Sequence, residues 1–294
     1  MARITTGLAK ASALMALALL TACGGGGTHM ASRGSYATVL RGPQIHSATS
    51  QSAALAPRMS APARVAAPIF GDAKPVSWPG RTPTTHSVHG IDVSRWQGTI
   101  DWPTARANGV SFAFIKATEG GDRSDPGFEG HWRGAAAAGV PRGAYHFYYF
   151  CTSPEIQANW FIANVPRERG ALPPVLDMEW NAQSPSCRHR PEPATVRAQA
   201  KTFLDILHSH YGQRPIIYIT PDFWTENQMW LLQGEEVWLR AVTRHPEEAY
   251  PGAAWSFWQY SGTGLVPGIN GPVDLNAFAG SPEAWAAWVA ARSL

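Results

Sequence analysis

The chain has 294 residues, a formal net charge of +3 and 13 tryptophans. Its charge is unevenly spread, with eight Lys/Arg and one Asp in residues 1–85 and 16 basic against 20 acidic residues in the remainder. An acidic remainder excludes nucleic acid as the expected partner, and three cysteines without CxxC or HExxH spacing suggest no zinc site.

The N-terminus reads as an export signal over residues 1–22. Arg3 and Lys10 supply its positive region, and Ala11 to Leu20 an apolar stretch too short to span a bilayer. It ends in Leu20-Thr21-Ala22-Cys23, which resembles the bacterial lipoprotein box, where cleavage precedes a cysteine that then carries lipid. An ordinary secretory signal with an incidental cysteine is the alternative. With Cys23 as an acylated N-terminus, the protein is expected in the bacterial cell envelope, held to a membrane. Residues 23–85, rich in Gly, Ala, Ser, Pro and isolated Arg without sustained periodicity, read as a flexible basic tether.

Residues 86–294 suffice for one catalytic domain with a large core. Eight short apolar runs predict strands: His89 to Val93, Phe112 to Ala117, Gly143 to Phe150, Pro174 to Glu179, Pro215 to Thr220, Val237 to Val242, Trp255 to Tyr260 and Val273 to Phe278. The clearest helix is Ala194 to Tyr211, where Val196, Ala200, Phe203, Leu204 and Leu207 line one face and Gly212 ends it. Strand and helix alternation implies parallel pairing. After the fifth strand the connections turn irregular and rich in Gly and Pro. The pattern therefore predicts an α/β fold, a TIM-like barrel of five β/α units plus three closing strands. In such barrels chemistry sits at the carboxyl ends of the strands.

Asp177-Met178-Glu179 sets two carboxylates at alternate strand positions, so both face the same way. Two unit charges about 6 Å apart at an effective dielectric near 20 repel by roughly 3 kcal/mol, about two pKa units. One carboxyl then stays protonated near neutrality, as cleavage of a glycosidic bond requires. A structural or metal-binding acidic pair has the same spelling. Cys151 and Cys187 each follow a predicted strand and are free to pair in an oxidising compartment; two separate buried thiols are the alternative.

Six segments in order are similar to the family 25 glycoside hydrolases, the Chalaropsis-type lysozymes. They are His89-Gly90-Ile91-Asp92-Val93-Ser94 with Trp96-Gln97, Phe114-Ile115-Lys116-Ala117-Thr118-Glu119-Gly120, Gly143-Ala144-Tyr145-His146-Phe147, Asp177-Met178-Glu179, Trp258-Gln259-Tyr260 and Val273-Asp274-Leu275-Asn276. The resemblance implies a flattened β/α barrel that hydrolyses the β-1,4 bond between N-acetylmuramic acid and N-acetylglucosamine of peptidoglycan, as a monomer and with no metal or organic cofactor. A catalytically silent glycan-binding envelope lipoprotein is the runner-up.

By motif, Glu179 is the general acid, loaded with a proton, and Asp177 the ionised group that orients the substrate's 2-acetamido nucleophile. Direct attack by a carboxylate is the competing scheme. Asp92 and Asp274 are assigned to substrate and water positioning. Glu119 is either a substrate-binding residue or an ion-pair partner of Lys116 and Arg123. Trp258 and Tyr260, then Tyr145 and Tyr148, are expected to offer sugar-stacking faces, ahead of Trp96 and Trp180. His146 is read either as a partner of a cleft carboxylate or as a satisfied core histidine.

Overall fold

The computed structural model describes residues 65–294. The export signal, Cys23 and the tether as far as residue 64 lie outside the described residues. Among the described residues the strands are β1 (Gly71–Asp72), β2 (His89–Val93), β3 (Val110–Glu119), β4 (Arg123–Ser124), β5 (Arg142–Phe147), β6 (Val175–Met178), β7 (Ile216–Ile219), β8 (Glu236–Arg240), β9 (Phe257–Leu265) and β10 (Val273–Phe278). The helices are α1 (Trp102–Ala107), α2 (Phe128–Ala137), α3 (Pro154–Asn164), α4 (Pro193–Tyr211), α5 (Pro221–Glu226), α6 (Pro246–Ala249) and α7 (Pro282–Arg292).

Strands β2, β3, β5, β6, β7, β8 and β9 pair in parallel in that order. Strand β10 closes the ring by pairing antiparallel with both β9 and β2. The result is a closed barrel of eight strands with β1 and β4 as short additions at its edges. All eight expected strands are present. Helices α1 to α5 follow the first five barrel strands, whereas β8 is followed by a helix of only four residues and β9 turns directly into β10.

Period-two alternation divides each barrel strand between two cores. Phe112, Phe114, Val175, Ile216, Trp238 and Phe257 fill the lower barrel interior, and Trp285 of α7 seals it. Phe114 lies 4.7 Å from Trp238, and Phe112 lies 5.2 Å from Trp285, between ring centroids. Gly90 is required there, since a Cβ would sit 2.5 Å from the Phe112 ring. The intervening residues, such as Ala113, Ile115, Leu176 and Ile217, face outward into the helix layer. Helix α4 packs there through Val196, Ala200, Phe203, Leu204 and Leu207, all buried. It ends at Gly212 with φ 75°, the left-handed cap expected of a glycine.

Two expectations need correction. The third strand stops at Phe147, and the amide of Tyr148 makes the last ladder bond, to the Asp177 carbonyl. Residues 65–85 are not a free tether. Gly71 and Asp72 pair with Leu265 and Gly264, Phe70 packs edge-on against His89, and Trp78 stands at 90° to Trp258 with centroids 5.2 Å apart. Asp72, the one acidic residue in the first 85, accepts hydrogen bonds from Ser261 Oγ and Thr263 Oγ1, both at 2.6 Å. Each of these residues finds a partner on the barrel wall, yet their irregular spacing gives no periodic signal.

Candidate active site

The carboxyl ends of the parallel strands open into a cleft of about 550 Å³ lined mainly by polar side chains. Alternation places the acids there. On β6, Val175 points into the lower core, so Asp177 and Glu179 follow it on the inner face. On β2 and β10 the inner positions carry Asp92 and Asp274, which are register partners across the ladder. All four expected carboxylates thus share one cleft. A second hollow of about 670 Å³ lies between residues 68–84 and the outer face of β9 and β10. Its carboxylate, Asp72, is occupied by Ser261 and Thr263, so the hollow lacks an acid pair.

The four acids are not equivalent. Asp92 Oδ2 accepts from Asn276 Nδ2 at 2.7 Å and Gln259 Nε2 at 3.0 Å, yet burial still pushes its pKa up to about 6. Gln259 in turn accepts from Tyr218 OH at 2.9 Å, and Asn276 from Trp238 Nε1 at 2.8 Å, so two relays converge on Asp92. Asp274 is pushed up to about 8 by burial and the neighbouring Asp92 charge, against the pull of Arg240.

Asp177 is raised well above the carboxylate range by burial, then by the charge of Glu179, and its buried Oδ1 has no hydrogen-bond partner among the described residues. Glu179 is raised by burial too, with Arg240 opposing and Asp222 adding. Both carboxyls of the pair are thus pushed toward the protonated form in the unliganded cleft. Asp177 lies within the strand and Glu179 one residue past its end, where it is half-buried and under the influence of Arg240.

Glu119 falls outside the cleft lining. Its carboxylate meets Lys116 Nζ at 2.5 Å, Arg123 Nη1 at 3.3 Å and Tyr149 OH at 3.3 Å. Against burial, which raises it, the Lys116 ammonium leads the contacts that hold its pKa low, so the ion-pair alternative is the one realised.

The expected aromatic faces are reordered by strand parity. Gln259 points inward, so Trp258 and Tyr260 point outward beneath residues 65–86. Trp258 Nε1 donates to the Ala241 carbonyl at 2.7 Å, and Tyr260 OH shares a hydrogen bond with His89 Nδ1 at 2.9 Å. Tyr148 is likewise buried outside the barrel, its OH on Gln199 at 3.3 Å. Tyr145 does line the cleft, and so do Trp96 and Trp180. Trp96 is 77% exposed with the Arg95 guanidinium 4.5 Å from its ring centroid, and Trp180 carries Arg190 at 4.7 Å. These two form the rim.

His146 is the satisfied core histidine, bonded to Thr118 Oγ1 at 2.7 Å and Gln157 Oε1 at 3.1 Å; burial lowers its pKa to about 4. Cys151 and Cys187 form a disulfide with Cα atoms 5.8 Å apart, tying the segment after β5 to the loop that follows Glu179. Sequence reasoning missed Arg240 and Tyr218. Both share parity with an inward neighbour, Trp238 and Ile216, and that parity was the available signal. Gln259 and Asn276 lay inside quoted motifs without a role. Among the described residues, no cluster of three or more His, Cys, Asp or Glu is arranged to hold a metal ion.

Residues 91–269 match the family model described as glycosyl hydrolases family 25. The uncharacterized protein YegX of Escherichia coli (strain K12) is 38% identical over 215 residues, 71% of this chain and 76% of that protein. Lysozyme M1 of Streptomyces globisporus is 36% identical over 216 residues, 67% of this chain and 69% of its own. The solved structure of a family 25 glycosyl hydrolase from Bacillus anthracis superposes with a TM-score of 0.64 at 33% identity, covering 69% of this chain and 94% of that one.

Proposed function

The chain belongs to the family 25 glycosyl hydrolases, and from that membership we propose that it is a muramidase, cleaving the β-1,4 bond from N-acetylmuramic acid to N-acetylglucosamine in peptidoglycan. The observation that carries this reading is the gathering of Asp92, Asp177, Glu179 and Asp274 at the mouth of one cleft.

In this reading the acetamido N–H of the muramoyl sugar donates to the Asp177 carboxylate where it lines the cleft. A hydrogen bond to the charged form favours that form, so substrate binding draws Asp177 toward ionisation and leaves the proton to Glu179. The acetamido oxygen then attacks the anomeric carbon while the glycosidic C–O bond breaks and the leaving oxygen takes the proton of Glu179. Water completes the cycle, giving its proton to the Glu179 carboxylate. Asp92, oriented by Asn276 and Gln259, and Asp274 position substrate and water. Tyr145, Trp96 and Trp180 offer ring faces to neighbouring sugars.

The same proposal extends to location. Arg3, Lys10, the apolar stretch and Cys23 support export and a lipid anchor in the cell envelope, with residues 23–64 as the tether and 65–294 as the folded part. A single copy contains every residue invoked. The test is mass spectrometry of digested peptidoglycan after reduction of the new ends. Muramitol termini are the expected result, and glucosaminitol termini would refute a muramidase.

A further inference from the structure

Arg240 is a cleft residue that the chemistry above leaves without a task. It occupies the last inward position of β8, two residues beyond Trp238, and lines the same cavity as Glu179 and Asp274. Among the described residues its guanidinium makes no ion pair and no hydrogen bond, while Tyr250 OH bonds its backbone carbonyl. The other cleft cation, Lys116, is committed to Glu119 at 2.5 Å.

The guanidinium is half-buried and none of its nitrogens is sealed from the cleft, so its donors are free to meet a ligand. If Arg240 served only to balance the carboxylates, contact with one of them would be expected, as Arg214 makes with Asp205 and Glu235. Arg240 instead stands off from all of them and faces open space. That space is where substrate must lie.

The two alternating sugars of peptidoglycan share the pyranose ring and the 2-acetamido group. They differ at O3, where the muramoyl sugar alone bears a lactyl group ending in a carboxylate, or in an amide carbonyl where a peptide is attached. A cleft rich in carboxylates repels such an oxygen-rich substituent unless a cation receives it. We propose that Arg240 is the specificity-determining residue that receives the lactyl oxygens of the muramoyl sugar, so that the cleft distinguishes muramoyl from glucosaminyl units. This rests on the muramidase reading and adds to it the group that selects the sugar. The planar fork of arginine fits a carboxylate through two parallel hydrogen bonds, which lysine cannot supply.

The test is calorimetric titration of the full chain with N-acetylmuramic acid and with N-acetylglucosamine, for the wild type, Arg240→Gln, Arg240→Lys and Glu179→Gln. The wild type is expected to prefer the muramic sugar by about tenfold or more. Arg240→Gln should bind both alike, Arg240→Lys should fall between, and Glu179→Gln should keep the full preference. Should Arg240→Gln fail to fold, the reduced preference of Arg240→Lys carries the comparison. An unchanged preference in the Arg240 variants, or none in the wild type, overturns the proposal. So does a shifted pH profile with the preference intact, which would assign Arg240 to charge balance alone. Muramitol ends from digested walls together with an unchanged preference would sink this inference and leave the muramidase reading standing, whereas glucosaminitol ends would sink both.

Discussion

Asp274 and Asp92 are cross-strand partners at the mouth end of the β10–β2 ladder, and only Asp92 receives protein hydrogen bonds among the described residues. Like charges placed directly opposite on a sheet repel. The ladder resolves the conflict by supplying donors to one carboxylate and leaving the other protonated, with Asp274 pushed up to about 8 and Asp92 to about 6.

Stability should therefore fall as pH rises across the neutral range. The folded pKa of Asp274 lies above its unfolded value near 3.8, so its contribution is fully present below about pH 4 and is lost as pH rises through about 8. Calorimetry from pH 6.5 to 8, above the range in which buried His89 and His146 take up protons on unfolding, should record a declining thermal midpoint. Asp274→Asn should flatten that decline, with an effect on the order of a few kcal/mol at pH 8. A slope equal to that of the wild type would contradict the assignment.

Asn276→Ala removes a donor from the Asp92 carboxylate and leaves the Trp238 indole N–H without its acceptor. Asp92 should ionise at a still higher pH, moving the acid limb of the kcat/KM profile up by about one pH unit. Stability should drop by about 1–3 kcal/mol for the orphaned indole. An unmoved limb would mean that ionised Asp92 is not needed in the reaction.

Glu179→Gln should lower the release of reducing ends from purified peptidoglycan by about 100-fold or more while leaving the thermal midpoint nearly unchanged. The residue is half-buried and its carboxylate has no ion pair among the described residues, so little folding energy rests on it. Full residual activity would remove it from the role of acid.

Trp78→Ala tests whether residues 65–85 belong to the folded unit. The ring abuts Trp258 on the barrel wall away from the cleft, so a loss of about 1–2 kcal/mol in denaturant unfolding is expected, with kcat unchanged. A midpoint equal to wild type would return the segment to the status of a passive tether.

Cys23→Ser should release the protein from membranes during cell fractionation, because the acyl chains would have no attachment point. Unchanged membrane association would refute the anchor.

Residue patterns alone carried much of the fold. The run Ile216–Ile219 and the α4 face through Val196, Ala200, Phe203, Leu204 and Leu207 follow from apolar spacing, and both elements form as that spacing predicts. The acidic positions Asp92, Asp177, Glu179 and Asp274 were legible because each closes or opens a short apolar run. Residues 65–85 were not, since Asp72 and Trp78 depend on partners nearly two hundred residues away, Phe70 packs on His89, and the three repeat at no period.

What the sequence by itself determined is local: which residues share a strand face, where α4 stops, and which carboxylates lie at strand ends, because backbone geometry makes these consequences of near neighbours. Only the tertiary structure decided which of the two faces of each strand looks into the barrel. Turning Gln259 inward sent Trp258 and Tyr260 outward and brought Arg240 into the cleft unannounced. It also decided how far the acids are pushed toward their protonated forms, since burial and field come from groups far apart in the chain and raise all four carboxyls of the cleft.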